Sequence, residues 1–245
     1  KLKCLICLFS KEILKFSYLN HFNDISIMIM PLLTTSKNKI KGIKRIGPHD
    51  ISIYSIIFGS LLGDAHAEQR KGGVGTRISF YQESTHVTYL LWLHNQLASK
   101  GYCNENIPII TTRLGKKGVV RKIIRFHTWT YTSFNQIYNL WYIDNKKIIP
   151  ECIGNYLTPL ALAIWIMDDG TKISKGLKLC TNSYTYSECL LLVRVLYENF
   201  NLKATVQSAG VKNQYIIYIW KESIQELREI ISPYIIPEMK YKIIE

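Results

Sequence analysis

The sequence predicts an α+β protein of two pseudo-symmetric halves, each with the order helix, two strands, helix, two strands, helix. Three observations support this prediction. The chain has 245 residues, enough for two halves of about 100 residues each. Two apolar runs end in aspartates 105 residues apart, Asp64 and Asp169, and the same order of hairpin and helix patterns follows each run. The tetrapeptide Ile-Ile-Pro-Glu occurs at 148–151 and again at 235–238.

Each half begins with a run that is hydrophobic all round, as expected of a helix buried between packed layers. Gly59 and Gly63 give the first run a flat face, and Ala161 and Ala163 supply small residues in the second, so the two helices can approach closely. The later patterns of the first half are a basic hairpin at 70–82, an amphipathic helix marked by Leu90, Leu93 and Leu97, a hairpin at 109–114 and 122–129, and a short helix at 134–142. Their counterparts are a hairpin at 172–181, a helix that starts at the capping box Thr185-x-x-Glu188, a hairpin at 203–208 and 214–220, and a helix at 223–231. Leu190, Val193, Val195 and Leu196 mark the apolar face of that second amphipathic helix.

These patterns predict the domain organisation. Residues 1–47 are expected to be an N-terminal extension or leader, 48–150 the first half and 151–245 the second half. The extension combines an apolar start with a basic end, so it is read either as a targeting segment or as the translated end of an upstream coding region. Pro48 marks its end. The chain does not begin with Met, as expected of a fragment or a processed product.

Composition limits the class of protein. Lys and Arg total 31 and Asp and Glu total 18, so the net charge is +13, and the expected partner is a polyanion, either nucleic acid or an anionic membrane surface. A hydrophobic content of 47% argues against general disorder. The longest apolar runs fall short of the roughly 20 residues that a membrane helix needs. The six cysteines are scattered, which predicts reduced thiols and no disulfide framework.

The two aspartates indicate the chemistry. A carboxylate at a helix C-terminus interacts unfavourably with the helix dipole, at a cost of roughly 0.3–1 kcal/mol. Two carboxylates that meet at one interface also repel each other. A bound cation relieves both effects, and oxygen ligands favour Mg²⁺, with Mn²⁺ or Ca²⁺ as alternatives. Paired carboxylates that hold divalent metals suit phosphodiester hydrolysis. The alternative is that Asp64 and Asp169 merely end two core helices, but two acids at equivalent positions before basic hairpins favour the metal site.

The segments 57–65, Ile-Phe-Gly-Ser-Leu-Leu-Gly-Asp-Ala, and 162–170, Leu-Ala-Ile-Trp-Ile-Met-Asp-Asp-Gly, resemble the two signature motifs of LAGLIDADG homing endonucleases. The match is to the monomeric, two-motif branch encoded by organellar group I introns, and it spans about residues 50–245. The motifs depart from the family pattern at packing positions, namely Ala65, Ile164 and Trp165. The resemblance implies that the two motif helices pack at the centre of the molecule and that the antiparallel sheets form a saddle.

The resemblance also implies residue roles. Asp64 and Asp169 would bind the metals, and Gly63 and Asp168 would offer them backbone carbonyls. Lys147 and Lys242 resemble the basic residues that orient water near each metal, with Lys146 and Lys240 as rivals and a solvated surface charge as the simpler reading of any one lysine. Two polar residues are expected to end the strand before each amphipathic helix and are candidates for holding water or phosphate, Gln82 and Asn182.

The hairpins would carry DNA recognition, because a twisted antiparallel sheet fits the major groove and basic side chains pair with guanine or neutralise phosphates. The alternative for basic residues in strands is a solvated face, and their concentration in all four hairpins favours binding. The candidates are Arg70, Lys71, Arg77, Arg113, Lys116, Lys117, Arg121, Lys122, Arg125, Lys172, Lys175, Lys178, Lys203 and Lys212.

The resemblance implies a monomeric, site-specific endonuclease that cuts double-stranded DNA at a long, asymmetric site and leaves short 3′ overhangs. The alternative is an RNA maturase that assists the splicing of its own group I intron, as a separate or a dual role. A membrane-surface protein is disfavoured, because the basic residues lie in strands and not on one helix face. Isoleucine is frequent, at 36 residues, and this AT-rich type of composition together with the resemblance predicts a mitochondrion or another organelle.

Overall fold

The computed structural model describes residues 40–69, 72–115 and 118–243. The chain divides into two units, 1–41 and 42–245, so the predicted extension lies mostly outside the described residues. Residues from Gly42 onward already pack on the first half, because the Arg45 carbonyl accepts a hydrogen bond from the Thr132 N–H (3.1 Å) and its guanidinium lies 5.3 Å from the centre of the Trp129 ring. The compact unit thus begins a few residues before Pro48.

The first half has the predicted order of elements, and a two-residue hairpin follows it. The elements are α1 (Ile51–Leu62), β1 (His66–Gln69), β2 (Thr76–Glu83), α2 (Val87–Ala98), β3 (Thr111–Leu114), β4 (Val120–His127), α3 (Phe134–Trp141), β5 (Tyr142–Ile143) and β6 (Lys146–Lys147). The small hairpin was not expected. Asp144 and Asn145 form its tight turn, and both have positive φ, the conformation that short polar side chains tolerate best.

The second half repeats that order. Its elements are α4 (Pro159–Asp169), β7 (Gly170–Ile173), β8 (Gly176–Cys180), α5 (Tyr186–Phe200), β9 (Ala204–Ser208), β10 (Tyr215–Ile219) and α6 (Ile224–Ile231). Short 3-10 helices occur at Gly42–Lys44, Ser84–His86, Ile153–Asn155, Lys221–Ser223 and Pro237–Lys242. The predicted capping box is present, with the Thr185 side chain and Glu188 bonding each other's backbone N–H.

The two sheets have the same antiparallel topology, which confirms the α+β class and the duplication. Their strand orders are β1-β2-β4-β3 and β7-β8-β10-β9, so each hairpin of one half has a counterpart in the other. One face of each sheet is buried against helices, for example at Ile78 and Phe80 in the first sheet and at Leu177 and Leu179 in the second. The other face of each sheet, called the open face below, carries the alternate residues.

Helices α1 and α4 pack against each other at the centre of the core, as predicted. A Cβ on Gly59 would lie 2.5 Å from the backbone oxygen of Ala161, so glycine permits this close approach. The N-terminal ends of the two helices are joined by a hydrogen bond from the Thr158 hydroxyl to the Ser55 hydroxyl (2.8 Å). Ile164 and Trp165, which depart from the family pattern, are fully buried in this core.

Among the described cysteines, Cys103, Cys180 and Cys189 are free thiols, as the sequence predicts.

Within the part of the chain that the structure describes, every helix is too short or too polar to cross a bilayer.

Candidate functional site

The C-terminal ends of α1 and α4 bring acidic residues together. Helix α1 ends at Leu62, so Asp64 lies just beyond it and is exposed, whereas Asp169 is the last residue of α4 and is half-buried. Burial and the neighbouring Asp64 carboxylate raise the pKa of Asp169 to about 7, and Lys147 and Lys242 oppose this rise. The two predicted metal-binding acids are therefore close enough to interact.

Asp168 adds a third carboxylate to this cluster. Its Oδ2 accepts a hydrogen bond from the Asp64 N–H (3.3 Å). A Cβ on Gly63 would lie 2.5 Å from the Asp168 side chain, so the missing side chain of Gly63 leaves the space that Asp168 occupies. Burial and the Asp64 charge raise the pKa of Asp168 well above its usual range. Sequence reasoning assigned Asp168 a backbone role and missed its side chain, although the Asp168-Asp169 pair was a visible signal.

Gln82 bridges two of the three carboxylates. Its side-chain amide donates to Asp64 Oδ2 (2.7 Å) and to Asp168 Oδ1 (3.2 Å). An amide can do this because its NH₂ group carries two donors. The structure therefore places Gln82 in the acidic cluster, where its hydrogen bonds fix the orientation of both carboxylates.

Asn182 has no comparable position. Strand β8 ends at Cys180, so Asn182 does not end the strand as expected but lies exposed in the turn that follows. The sheet register identifies the residue of the second half that is equivalent to Gln82. His66 and Thr171 are equivalent in the repeat, and they pair with Ser79 and Lys178. Gln82, three residues after Ser79, therefore corresponds to Thr181, three residues after Lys178. The buried Thr181 hydroxyl donates to the Tyr215 carbonyl (2.9 Å). Within the described part of the chain, no hydrogen bond joins Asn182 to the acidic cluster.

Lys147 reaches the end of α1 from the small hairpin. Its ammonium group donates to the carbonyls of Gly63 (3.3 Å) and Ala65 (2.9 Å). Burial lowers its pKa to about 8, although the nearby aspartates oppose this shift. A lysine at this point pairs with carbonyls that a helix C-terminus leaves unsatisfied.

Lys242 does the same at the end of α4. Its ammonium group donates to the carbonyls of Asp168 (3.1 Å) and Met167, and its side chain is only 8% exposed. Burial lowers the pKa of Lys242, again against the effect of the aspartates. The rival lysines, Lys146 and Lys240, are exposed. Gly63 and Asp168 are 105 residues apart, so the two lysines contact equivalent carbonyls although they are not equivalent in sequence.

The donor set fits divalent cations of the hard, oxygen-binding kind. Asp64, Asp168 and Asp169 supply carboxylate oxygens, and burial together with the Asp64 charge raises the pKa of both Asp168 and Asp169, an effect that a bound cation would oppose. Over residues 40–69, 72–115 and 118–243, no group of three or more His, Cys, Asp or Glu side chains is arranged as a preformed metal site. Hard divalent cations also take oxygen ligands from water and from substrate phosphates.

The sheet register places the predicted DNA-binding residues. Arg77, Arg125 and Lys178 alternate with buried core residues and therefore lie on the open faces. Arg121 has the same strand parity as Arg125 and pairs with Arg113, so these two arginines lie on the open face of the first sheet as well. Two candidates lie on the packed sides of their sheets instead: Lys122 has the strand parity of the buried Ile124 and Phe126, and Lys172 pairs with the buried Leu177. Lys175 and Lys212 lie in turns, and Lys203 lies in the connection before β9. Four candidates fall outside the described residues: Arg70, Lys71, Lys116 and Lys117.

Comparison with known proteins agrees with this geometry. The LAGLIDADG DNA endonuclease family matches residues 54–227. The chain is 51% identical over 232 residues to the cytochrome b mRNA maturase bI2 of Saccharomyces cerevisiae, covering 92% of this chain and 54% of that protein. It is 51% identical over 196 residues to the protein of the same name from Debaryomyces hansenii, covering 80% of this chain and 75% of that one. The chain thus spans about half the length of the Saccharomyces relative.

Among solved structures, the homing endonuclease I-WcaI bound to its DNA recognition sequence is similar, with a TM-score of 0.73 and 26% identity. The similarity covers 81% of this chain and 88% of that one. A match of this extent includes most of both halves, because each half has only about 100 residues.

Proposed function

Because the chain belongs to the LAGLIDADG DNA endonuclease family, we propose that it is a site-specific, metal-dependent endonuclease acting on double-stranded DNA. It cuts a long, asymmetric site and leaves short 3′ overhangs. The observation that carries the proposal is the carboxylate cluster of Asp64, Asp168 and Asp169 at the meeting ends of two buried helices, next to the first strand of each sheet. The monomeric chain supplies both halves of the site.

In this proposal Asp64 and Asp169 bind Mg²⁺, with Mn²⁺ or Ca²⁺ able to take the same positions, and the oxygens of Gly63 and Asp168 complete the protein ligands. When bound, the metal lowers the pKa of a water nucleophile and stabilises the attacking and leaving oxygens. Gln82 holds the Asp64 and Asp168 carboxylates in position. Lys147 and Lys242 place positive charge beside the cluster, where it balances the acids and orients water.

A maturase role in intron RNA splicing is the second candidate. The specific observation in its favour is the 51% identity to two yeast proteins named cytochrome b mRNA maturase bI2. The three acids are present here, so a maturase role is proposed as an additional activity of a chain that keeps its cleavage site. The names of these relatives, with the isoleucine-rich composition, support a mitochondrial location. We also propose 48–150 and 151–245 as the halves that bind the two parts of the target.

The test uses the purified full chain and DNA that carries the intron-insertion region, with Mg²⁺ or with EDTA. Metal-dependent cutting of both strands is expected, and Asp64→Asn and Asp169→Asn should each lower its rate at least about 100-fold. Asp144→Asn is the matched control, because this exposed turn aspartate lies outside the acidic cluster and asparagine tolerates its positive φ of 50°.

Three results would count against the proposal. Cutting that persists in both Asn variants would contradict the assignment of the acids. Cutting in EDTA would contradict the metal requirement. Tight binding of intron RNA without cutting of any DNA would favour the maturase role as the main activity.

A further inference from the structure

We propose that the two sheets read half-sites of different base composition. The first sheet takes the half-site that contains guanines, and the second sheet takes a half-site rich in A·T pairs. This inference rests on the proposed function, because it concerns the DNA that such an endonuclease would bind, and it identifies which half of the protein sets which half of the target.

The open face of the first sheet is rich in arginine. Four arginines lie on it, Arg77 on β2, Arg113 on β3, and Arg121 and Arg125 on β4. Arg125 is opposite Tyr81 on the central strand pair, so it lies in the middle of the sheet and not at its edge. Arginine in bidentate contact with guanine O6 and N7 is the commonest specific contact in the major groove.

Two of these arginines are held by carboxylates, and two are available. Arg77 Nε and Nη2 donate to Glu68 Oε2 (2.8 and 2.6 Å), which fixes the guanidinium. Arg121 Nη1 lies 3.3 Å from Glu83 Oε1. Arg113 and Arg125 are exposed and have no ion pair with any described acidic residue. The sheet thus presents both ion-paired and unpaired guanidinium donors, which suits readout of guanine at several positions.

The open face of the second sheet has a different composition. Strand pairing and burial place Thr171, Lys178, Thr205, Gln207, Ile216 and Tyr218 on it, and Lys178 is the one cation among these described strand residues. The Tyr218 ring covers Gly176, where a Cβ would lie 2.4 Å from its hydroxyl oxygen. Ile216 and Gln207 are directly opposite each other on β10 and β9.

These side chains favour A·T pairs. Glutamine binds adenine N6 and N7 through two hydrogen bonds, and apolar side chains contact the thymine methyl group. Gln207 and Ile216 together therefore match an adenine and a neighbouring thymine. A face with one lysine also has few donors with which to bind guanine.

The competing explanation is that the arginines only neutralise phosphates. Phosphate contacts carry no sequence information and lower the affinity for every sequence when removed. The cations best placed for that role lie in turns at the sheet ends, such as Lys175 and Lys212. The central position of Arg125 instead favours contact with base edges.

The experiment is selection of bound duplexes from a randomised DNA library with the full chain in Ca²⁺, followed by sequencing. The expected consensus has G·C pairs in one half and A·T pairs in the other. Arg125→Gln should lower the preference for guanine at one position of the first half about 10-fold or more, whereas Gln207→Ala should weaken an adenine preference in the other half. Lys175→Gln is the matched control, and it should lower the affinity for all sequences without changing the consensus.

Any of the following three outcomes overturns the inference. A consensus with equal guanine content in both halves, or an Arg125→Gln variant that loses affinity uniformly, contradicts the division of labour while leaving the endonuclease proposal intact. Failure to enrich any sequence overturns the proposed function and the inference with it. Arg125 and Gln207 are exposed, so the variants are expected to fold, and circular dichroism checks this.

Discussion

The two halves share one topology but build the acidic cluster differently. In the first half the helix stops before Gly63, and Asp64 is exposed; in the second half the helix continues through Asp168 to Asp169. Gly63 and Asp168 are equivalent in the repeat, and the side chain of one fills the space left by the other. A duplicated fold therefore need not have duplicate sites, because one shared interface can hold only one side chain at a given point.

The lysines show the opposite relation. Lys147 comes from a two-residue hairpin and Lys242 from a 3-10 helix, yet both donate to equivalent carbonyls at the ends of the two helices. Helix C-termini that lie side by side leave buried carbonyls, and a buried carbonyl without a donor is costly. The requirement for a donor is thus common to both halves, while the element that supplies it differs.

The largest effect is expected at the contact that both halves share. Gly59→Ala places a Cβ 2.5 Å from the Ala161 backbone oxygen, so α1 and α4 must separate, and we expect a loss of about 2 kcal/mol or more in unfolding free energy. Gly154→Ala is the matched control in the second half, because its Cβ would meet only the Val195 side chain at 3.4 Å. Denaturant unfolding measures both, and equal midpoints would contradict the close contact.

Removal of the third carboxylate tests the difference between the halves. Asp168→Ala leaves Gln82 with one carboxylate partner, and we expect cleavage of one DNA strand to slow about 10- to 100-fold, with less effect on the other. Strand-specific cleavage rates and calorimetric titration with Ca²⁺ are the measurements. Ser183→Ala, in the exposed turn after β8, is the control. Equal slowing of both strands would show that Asp168 serves the two halves alike.

The lysine pair provides a stability comparison. Lys242→Met leaves buried carbonyls without their donor and should lower the unfolding free energy by about 1–3 kcal/mol. Lys147→Met should cost less, because Lys147 is less buried than Lys242. Lys146→Met and Lys240→Met are exposed controls, expected within about 0.5 kcal/mol of the parent. A larger loss for Lys147→Met would reverse the proposed ranking.

The smallest expected effect is a difference between the halves in their response to pH. All six histidines precede residue 128, so the second half has none. Burial lowers the pKa of His49 and of His127 below the usual 6.5. A group whose pKa is lowered by folding binds its proton more tightly when unfolded, so its contribution is complete above about pH 6.5 and is lost as the pH falls below that value.

We therefore expect the first half to lose hydrogen-exchange protection before the second half as the pH falls from 7 to 5. His49→Gln should reduce this difference, because the His49 ring nitrogens bond Tyr102 (2.8 Å) and Ser133 (2.7 Å) in the first half. His86→Gln, at the start of α2, is the control. Simultaneous loss of protection in both halves would contradict the prediction.

The two halves also show which structural features local sequence patterns can predict. Helix and strand order, the Thr185 capping box and the positions of Asp64 and Asp169 could all be predicted, because apolar periodicity and cap chemistry act over a few neighbouring residues. The face of the sheet on which each hairpin residue lies was harder to predict. Lys172 was expected with the DNA-binding residues, but its pairing with Leu177 directs it to the packed side of the sheet, and a period of two cannot be assigned to a face without the register.

The sequence by itself determined the duplicated α+β fold, the two acidic helix ends and the excess of positive charge on the hairpins. Only the tertiary structure decided that Asp168 joins the cluster through its side chain, that Gln82 corresponds to Thr181 and not to Asn182, and that two unrelated elements supply Lys147 and Lys242. The physical reason is that these contacts join residues 74–104 positions apart. They depend on how closely α1 and α4 approach at Gly59 and Gly63, which is a property of packing and not of any local pattern.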